Sequence, residues 1–356
     1  MKALILSGGK GTRLRPLTHT RAKQLIPIAN KPTLFYGIES IVAAGITDIG
    51  IIVGDTAAEV QAAAGDGTQF GVKITYIKQD HPKGLAHAVA TAEKFLGAEP
   101  FVMYLGDNIL RDGITQFVQS CVDRKPDASI LLTPVEHPEW FGNAVLGPDG
   151  KVQKLEEKPK QPQSNLALVG VYFFTAKVHE AIAKIKPSPR GELEITDAIS
   201  QLIKDGYTVD SHRVEGWWKD TGNAEDLISA NLLILERLNV FAAEPTDKSV
   251  KLEGPIQLGK DVVLKNCRIR GPVVIGDRCR IEDAYVGPFS SVGPDCEIVG
   301  CEIENSIVLQ HTRLLKVTER IDSSIFGEHS VVQGKRALPR SHRFVVGDQT
   351  EIFLSE

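Results

Sequence analysis

Over its first two-thirds, the chain alternates short apolar runs with segments whose apolar residues recur every three or four positions. The runs predict β-strands and the spaced segments predict amphipathic helices. Strand-like runs are KALILS at 2–7, DIGIIVG at 48–54, VKITYI at 72–77, PFVMYLGD at 100–107 and ASILLTPV at 128–135; helix-like segments cover 31–46, 56–65, 84–97 and 114–124. This alternation is typical of right-handed βαβ units and predicts a mostly parallel α/β sheet.

Beyond residue 140 the alternation loosens. A hairpin is predicted at 144–159, turning at PDG, and a buried strand at 166–175. A helix at 194–206, a strand at 207–214 and a long amphipathic helix at 223–239 follow. We expect these elements to complete a first domain at residues 1–245.

The sequence pattern changes near residue 250. From there, branched apolar residues recur at steps of five or six residues, and the order of these steps repeats every 17 residues. The series is Leu258, Leu264, Ile269, Ile275, Ile281, Val286, Val292, Ile298 and Ile303, and extension by 17 adds Leu309 and Leu315. Hexapeptide repeats of this kind resemble a left-handed parallel β-helix, whose flat faces stack their inward aliphatic residues. The alternative is an irregular β-sandwich. We predict a β-helix domain at 246–356 whose register fades near 316, followed by a closing β-rich tail.

Composition narrows the classes of protein. The 356 residues are 42% hydrophobic and 24% charged, with 41 Lys and Arg against 45 Asp and Glu, for a net charge of −4. No basic excess indicates a nucleic-acid partner or an anionic membrane. There is no run of roughly 20 apolar residues and no secretory leader pattern. The five cysteines form no CxxC pair, so we interpret them as reduced packing residues of a cytoplasmic protein.

The first strand runs into SGGKGTRLRP at 7–16, a glycine-rich turn that contains arginines. It lacks the Gly-Lys-Ser/Thr ending of a P-loop. It also fails Gly-x-Gly-x-x-Gly, because Gly9 and Gly11 are followed by Leu14 where a third glycine is needed. Glycines still let backbone N–H groups approach an anion, and arginine binds phosphate oxygens. The alternative is an ordinary strand-to-helix turn with surface arginines.

Five motifs then occur in order: GGKGTRLRPLT at 8–18, AKQLIPIANKP at 22–32, LGDN at 105–108, LEEKP at 155–159 and WKDTG at 218–222. Together they resemble the sugar-1-phosphate nucleotidyltransferases, most closely the glucose-1-phosphate thymidylyltransferases. The resemblance covers the first two-thirds of the chain, and the appended β-helix is similar to the long form of that family. It implies a Rossmann-like nucleotidyltransferase sheet and transfer of a thymidylyl group from dTTP to glucose 1-phosphate, with release of pyrophosphate.

The resemblance also assigns the phosphate-binding residues. Arg13 and Lys23 are the catalytic cations on the nucleotide phosphates, and the nucleotide-binding turn comprises Gly8, Gly9, Gly11 and Thr12. Arg15 borders the site. The family holds Mg²⁺ with two aspartates that match Asp107 and Asp220, and hard cations favour such carboxylate oxygens. The alternative for either aspartate alone is a cap or turn residue.

A second group of residues matches the family's sugar site. Glu157 accepts hydrogen bonds from sugar hydroxyls in the family, and Lys158 is its third catalytic cation, which holds the sugar phosphate. Further sugar-binding positions match Asn108, Gly142 and Val169. Phe141 replaces a usual tyrosine, which puts one polar contact in doubt. The alternative for KLEEKPK is a solvated charge cluster.

The base pocket of the thymidylyl enzymes matches Gln24, Gln79 and Gly84. Uracil differs from thymine by one methyl group, which is worth only about 1–3 kcal/mol in a pocket, so UTP is an alternative substrate. We interpret the neighbouring His81 and His87 as structural, because the sugar phosphate is itself the nucleophile.

Two other functions stay open. Left-handed β-helices often carry acyltransferase sites, and His311 is a candidate acyl-transfer base. A non-catalytic nucleotide-sugar sensor is a third class, although the catalytic residues of the family are present. Because β-helix faces are regular, we expect the protein to form a homo-oligomer.

Overall fold

The computed structural model describes residues 1–9, 11–243, 245 and 247–334. The strands of its first part are β1 Lys2–Ser7, β2 Pro27–Ile28, β3 Lys31–Pro32, β4 Asp48–Val53, β5 Lys73–Lys78, β6 Phe101–Leu105, β7 Asn108–Leu110, β8 Ala128–Pro134, β9 Gly142–Leu146, β10 Val152–Glu157, β11 Leu166–Phe174, β12 Val209–Arg213 and β13 Trp218–Asp220. The helices are α1 Thr33–Ala43, α2 Ala57–Ala64, α3 Leu85–Thr91, α4 Glu93–Leu96, α5 Thr115–Arg124, α6 Lys177–Ile182, α7 Ile195–Lys204 and α8 Ala224–Leu235.

Nine strands form the central sheet. Its main order is β10-β9-β11-β6-β1-β4-β5, and β8 joins β11 to β12. β1 pairs in parallel with both β4 and β6, and β4 with β5, whereas β11 is antiparallel to β6, β8 and β9. The predicted mostly parallel α/β sheet is confirmed, with its antiparallel part concentrated around β11. Two apolar cores cover the faces of the sheet.

The predicted β-helix is also confirmed. Its strands are β14 Lys251–Glu253, β15 Ile256–Leu258, β16 Val263–Lys265, β17 Arg268–Arg270, β18 Val273–Ile275, β19 Arg280–Glu282, β20 Tyr285–Val286, β21 Ser290–Val292, β22 Glu297–Val299, β23 Glu302–Ile303, β24 Ile307–Val308, β25 Arg313–Leu315, β26 Ile325–Phe326 and β27 Val331–Gln333. They form three faces of parallel strands around one apolar core. The domain boundary at 245–246 stays a prediction; α8 ends at Leu235 and β14 begins at Lys251.

The predicted repeat holds for three coils and then changes. Val292 pairs with Val308, and Ile298 pairs with Leu314, so both steps are one position shorter than the steps of the earlier coils. The extension to Leu309 and Leu315 was therefore wrong by one position, because the fourth coil lacks one residue. Since side chains alternate between the two faces of a strand, Leu309 points out of the β-helix core.

The later coils continue further than the sequence indicated. Ile307 pairs with Ile325 and Arg313 with Val331, and both steps are one position longer than the predicted repeat. His311 lies at a coil corner and stacks on His329 with ring centroids 4.7 Å apart. The predicted closing tail begins at residue 328, but residues 328–334 belong to the β-helix, where Val331–Gln333 form β27. The rest of that tail, residues 335–356, lies outside the described residues. Within the described part of the chain, no helix is long and apolar enough to cross a membrane.

The ladder of inward aliphatic residues generates a prediction. Ile281 is completely buried between Leu264 and Ile298, so Ile281→Asp should place an unpaired charge in the core. We expect a loss of at least about 3 kcal/mol in the free energy of unfolding of the β-helix, measured by denaturant unfolding of the full chain. Val263→Asp, at an exposed position on the same face, is the control. Equal losses in the two variants would contradict the inward stack.

Candidate active site

Four parallel strands end at one edge of the central sheet. β6, β1, β4 and β5 lie side by side in that order. Gly8 follows β1, Asp107 lies just beyond β6, and Gln79 follows β5. Parallel sheets bind ligands beyond the carboxyl ends of their strands. The sheet therefore brings the glycine turn, a predicted metal ligand and a predicted base-binding residue to one edge.

The glycine turn folds back against the segment that follows it. Gly11 has a φ of 62°, and a Cβ atom there would lie 2.9 Å from Lys23 Cβ and 3.0 Å from Thr18 Cγ2. The Thr18 hydroxyl donates a 2.7 Å hydrogen bond to the Gly11 carbonyl. Thr12 begins a 3₁₀ helix, and Lys23 begins another. The missing side chain at Gly11 thus allows Lys23 to approach the turn.

Lys23, Asp107 and Asp220 form a group that we call the buried charge cluster. The Lys23 ammonium forms an ion pair with Oδ2 of Asp107. Asp220 arrives on β13, which pairs antiparallel with β7. Thr221 fixes the junction, because its backbone N–H and its hydroxyl both donate to the Asp107 carbonyl, at 3.0 and 2.9 Å. Side chains that are far apart in the sequence are thereby held at one point.

The charges of this cluster shift one another's pKa values. Burial alone would lower the pKa of Lys23, but Asp107 and then Asp220 outweigh it, so that pKa is raised. Burial would raise the pKa of Asp107, but the Lys23 ammonium outweighs burial and lowers it. Burial, followed by repulsion from Asp107, raises the pKa of Asp220 to about 7. Lys23 and the neighbouring Arg13 therefore do not fully compensate the two carboxylates.

This imbalance fits a divalent cation. Oδ1 of Asp220 is buried and has no hydrogen-bond partner among the described residues. Over the same residues, no group of three or more His, Cys, Asp or Glu side chains is placed to hold a metal. A cation here would take two carboxylates from the chain and its other ligands from phosphate or water oxygens, as Mg²⁺ usually does.

Arg13 adjoins the cluster because Gly222 leaves it room. A Cβ atom at Gly222 would lie 2.8 Å from Nη2 of Arg13 and 3.3 Å from Oδ1 of Asp220. Arg13 is the middle residue of the 3₁₀ helix Thr12–Leu14. Its side chain is exposed, whereas the neighbouring Leu14 is buried and fixes the helix in place. The guanidinium is thus placed at the mouth of the site, where it can meet an anion.

A cavity of about 240 Å³ opens beside the buried charge cluster. Its lining includes seven of the predicted residues: Gly8, Gly9, Lys23, Gln24, Gln79, Gly84 and Asp107. Gln24 is only 2% exposed, and its Oε1 is unpaired within the described residues. A buried amide without a partner is costly, so this one favours a polar ligand in the cavity.

His87 fixes the second glutamine. Gln79 Nε2 lies 2.8 Å from His87 Nδ1, so a neutral ring accepts that hydrogen bond. Burial, then the nearby Lys83 and His81, lower the pKa of His87, which keeps the ring neutral. Gln79 Oε1 is left on the side of Gly8, 3.4 Å from the position of a Cβ atom there. The contact with His87 therefore determines which end of Gln79 faces the cavity, and a purely structural role for His87 stays a prediction.

A second polar cluster contains two of the predicted sugar-binding residues. Glu157 Oε2 lies 3.2 Å from the Cβ position of Gly142, and Glu157 Oε1 accepts a 3.3 Å hydrogen bond from Arg190. Burial, then repulsion from Glu194, raise the pKa of Glu157. Lys158 follows in an exposed position with a φ of 44°. The geometry makes Glu157 a shielded hydrogen-bond acceptor beside an exposed cation.

Asn108 and Val169 lie behind these groups. Asn108 is buried; its Nδ2 donates to Asp107 at 3.1 Å, and its Oδ1 accepts from Trp218 at 2.5 Å and from the backbone of Gly170 at 3.2 Å. Val169 is completely buried, at a shift of register between β11 and β8. Trp218 also packs edge-on against Phe141, at 5.3 Å between centroids.

Sequence reasoning missed the segment at 190–194, which connects the two halves of the site. Glu192 lines the cavity, and Arg190 contacts both Glu192 and Glu157. A Cβ atom at Gly84 would collide with the backbone of Leu193, so only glycine fits at that φ of 101°. Nothing local in RGELEIT signals this role. A charged turn before a helix has many ordinary uses.

Comparisons with known proteins agree with this geometry. The family model described as nucleotidyl transferase matches residues 2–237. A glucose-1-phosphate thymidylyltransferase of Streptomyces antibioticus is 52% identical over 99% of both chains. One of Streptomyces griseus is 48% identical over 100% of both. A crystal structure of a Bacillus anthracis protein assigned the same activity is 40% identical, with a TM-score of 0.62 over 65% of this chain and 94% of its own.

The buried charge cluster yields a prediction that needs no substrate. Because the pKa of Asp220 is raised to about 7, the folded chain binds a proton more readily than the unfolded chain, and stability falls as the pH rises toward 7. Asp220→Asn cannot ionise. With metal ions chelated at pH 8, we expect it to be about 1–3 kcal/mol more stable than the unaltered chain, with a much smaller difference at pH 4.

Asp123→Asn is the matched control, because that side chain is exposed on α5 and its amide could still accept from Gln119. The measurement is thermal unfolding at both pH values. Destabilisation of Asp220→Asn at pH 8 would contradict the uncompensated charge.

Proposed function

The chain belongs to the nucleotidyl transferase family, and from that we propose that it transfers a thymidylyl group from dTTP to glucose 1-phosphate, forming dTDP-glucose and pyrophosphate. The observation that carries the proposal is the buried charge cluster at the edge of a cavity lined by two glutamines. The full-length thymidylyltransferase relatives support the same reaction.

The reaction joins two anions. A phosphate oxygen of the sugar phosphate attacks the α-phosphorus of dTTP while the bond from that phosphorus to the bridging oxygen breaks, and pyrophosphate leaves in line. Lys23 and Arg13 offset the repulsion between the phosphates and the charge that develops on pyrophosphate. The glycine turn, with Thr12, presents backbone donors to the nucleotide. Lys158 holds the sugar phosphate for attack.

Enzymes of this family generally use a divalent metal ion. We assign Mg²⁺ to Asp107 and Asp220, because Lys23 and Arg13 leave the pKa of Asp220 raised and Oδ1 of Asp220 is unpaired in the described part of the chain. When bound, Mg²⁺ supplies positive charge to the phosphate oxygens. The chain's own contribution is to hold both carboxylates at one point through Thr221 and the pairing of β13 with β7.

The sugar is assigned to the second polar cluster. Glu157 is a partly shielded acceptor for hydroxyl groups, and Gly142 leaves open the space in front of it. Sugar contacts by Asn108 and Val169 stay predictions. Asn108 contributes at least by orienting Asp107, since both ends of its amide are engaged. The homo-oligomer and the cytoplasmic location likewise stay predictions of the sequence.

The base pocket is assigned to Gln24, Gln79 and Gly84. With Nε2 held by His87, Gln79 presents Oε1, which accepts a hydrogen bond. Thymine and uracil carry a donor at N3, whereas cytosine carries an acceptor there. The orientation of Gln79 therefore favours thymine or uracil over cytosine. It does not read the methyl group, so UTP remains the alternative substrate.

Release of pyrophosphate tests the function directly. We expect turnover of dTTP with glucose 1-phosphate in Mg²⁺, weaker or comparable turnover of UTP, and none in excess chelator. Mg²⁺ should also raise the melting temperature of the unaltered chain but not that of Asp220→Asn. Full activity in excess chelator would contradict the assignment of Mg²⁺ to Asp107 and Asp220. A preference for a purine nucleotide would contradict the assignment of the base pocket.

The contact between His87 and Gln79 generates a prediction about base choice. His87→Leu frees the amide to rotate, so the preference for dTTP over CTP in kcat/KM should fall about tenfold, the worth of one hydrogen bond. The ratio of dTTP to UTP should not change. His87→Asn, which restores an acceptor, should recover much of the preference, and His81→Leu in the same loop is the control. An unchanged ratio of dTTP to CTP in His87→Leu would refute the role of His87.

A further inference from the structure

We infer that the β-helix is a positioning part of the active site, because its fourth coil (β23 to β25) and fifth coil (β26 and β27) hold the segment that carries Arg13 and Lys23. We call that segment, residues 12–28, the loop 12–28. The inference rests on the proposed function only in taking Arg13 and Lys23 to act on phosphate. It assigns the β-helix a role beyond assembly and stability.

The first observation is an apolar cluster shared by the two parts of the chain. Leu14, Ile26 and Ile28 of the loop 12–28 lie in one buried cluster with Ile307 and Leu309 of the β-helix. All five side chains are at most 3% exposed. Side chains of α8 and β7 complete the cluster. Since these residues are buried against one another, the loop cannot shift without changing its packing on the β-helix.

Polar contacts fix the same interface. Arg21 forms an ion pair with Glu328 in the fifth coil, with both side chains largely shielded. Asn30, just beyond the loop, donates a 2.7 Å hydrogen bond to the carbonyl of Val292. A Cβ atom at Gly327 would lie 3.5 Å from Leu17 Cδ2, so the backbone of the fifth coil touches the loop.

A buried asparagine bridges the two parts. Asn231 of α8 is 1% exposed. Its Oδ1 accepts from the backbone of Ala29 at 2.9 Å, and its Nδ2 donates to the carbonyl of Phe289 at 2.9 Å. The backbone just beyond the loop 12–28 and a coil of the β-helix are therefore held by the two ends of one amide.

The contact falls where the repeat breaks. The backbone N–H groups of Gly259, Gly276 and Gly293 each donate to the next coil, and that of Leu309 does the same to Phe326. Leu309 thus occupies the position that glycine holds in three preceding coils. Its side chain points out of the β-helix and into the shared cluster. The replacement of glycine by leucine at this position of the fourth coil therefore supplies the apolar contact with the loop 12–28.

The loop 12–28 has little structure of its own. It contains three 3₁₀ helices of three residues each and the two-residue strand β2. Its shape is set by what it packs against. Arg13 precedes the anchored Leu14, and Lys23 lies shortly before the anchored Ile26. A displacement near 1 Å at a reacting group can cost about 100-fold in rate, so these anchors bear on kcat.

Leu309→Gly tests the inference with the residue that the β-helix itself uses at this position. The coil should keep its fold, and the full-length variant should lose about tenfold or more in kcat, with KM for the nucleotide changed less than about twofold. Leu309→Ile should retain activity. A merely structural contact would lower the melting temperature and leave kcat per folded molecule unchanged, which would overturn the inference.

The ion pair provides a second test that does not depend on apolar packing. Arg21→Glu and Glu328→Arg should each lower kcat about three- to tenfold, and the exchanged pair should return to within about twofold of the unaltered chain. Reversal of Arg268 and Glu253, an ion pair on another face of the β-helix, is the control and should change nothing. Failure of the exchanged pair to recover would overturn the inference.

An activity assay of the unaltered chain distinguishes a failure of the proposed function from a failure of the role proposed for the β-helix. If it turns over no nucleoside triphosphate, the proposed function fails. If it is active while Leu309→Gly and the single reversals keep its kcat, only the role of the β-helix fails.

Discussion

Two carboxylates and one ammonium are held together, largely shielded from solvent, at the edge of the central sheet, and the rest of the site depends on how that charge is held. Lys23 compensates Asp107, while Asp220 remains without a full partner in the described residues. Partial removal of such charges from water is costly, and the arrangement persists only where neighbouring structure enforces it. A divalent cation would offset the excess negative charge of the two carboxylates, so the feature that costs stability is also the one that fits the proposed metal site.

Three short and distant segments enforce the cluster. The loop 12–28 supplies Lys23, which approaches the glycine turn at Gly11, the turn after β6 supplies Asp107, and β13 supplies Asp220. None of these segments is a long regular element. Each is held by a more rigid neighbour, which is the sheet for Asp107, the pairing of β7 with β13 for Asp220 and, by our inference, the β-helix for the loop 12–28. Catalytic groups on irregular backbone over a rigid scaffold are common.

The β-helix shows how a repeat can be adapted locally. Its first three coils keep one repeat length and bury a regular aliphatic ladder. The fourth is one residue shorter and replaces a glycine by Leu309. Because side chains alternate between faces, this small change leaves the inner core intact with Val308 and adds an outward apolar residue where the loop 12–28 lies. The shortened coil thus adds its own apolar contact to those that the neighbouring coils make with the catalytic half.

The sequence by itself determined the fold class and the β-helix, because apolar periodicity is a local property of the chain, and its motifs predicted the residues of the site. The sequence pattern placed Leu309 in the core of the β-helix, where the structure has Val308. The fourth coil lacks one residue, and such a deletion cannot be recognised until the strands are paired. Only the tertiary structure showed that His87 orients Gln79, that Arg190 connects the two polar clusters and that Asn108 faces Asp107. In each of these contacts, the packing of the folded chain determines which side chains meet, and the spacing of residues along the sequence does not reveal it. A histidine or an arginine in a helix or turn has many ordinary uses, and the side chain that it meets decides among them.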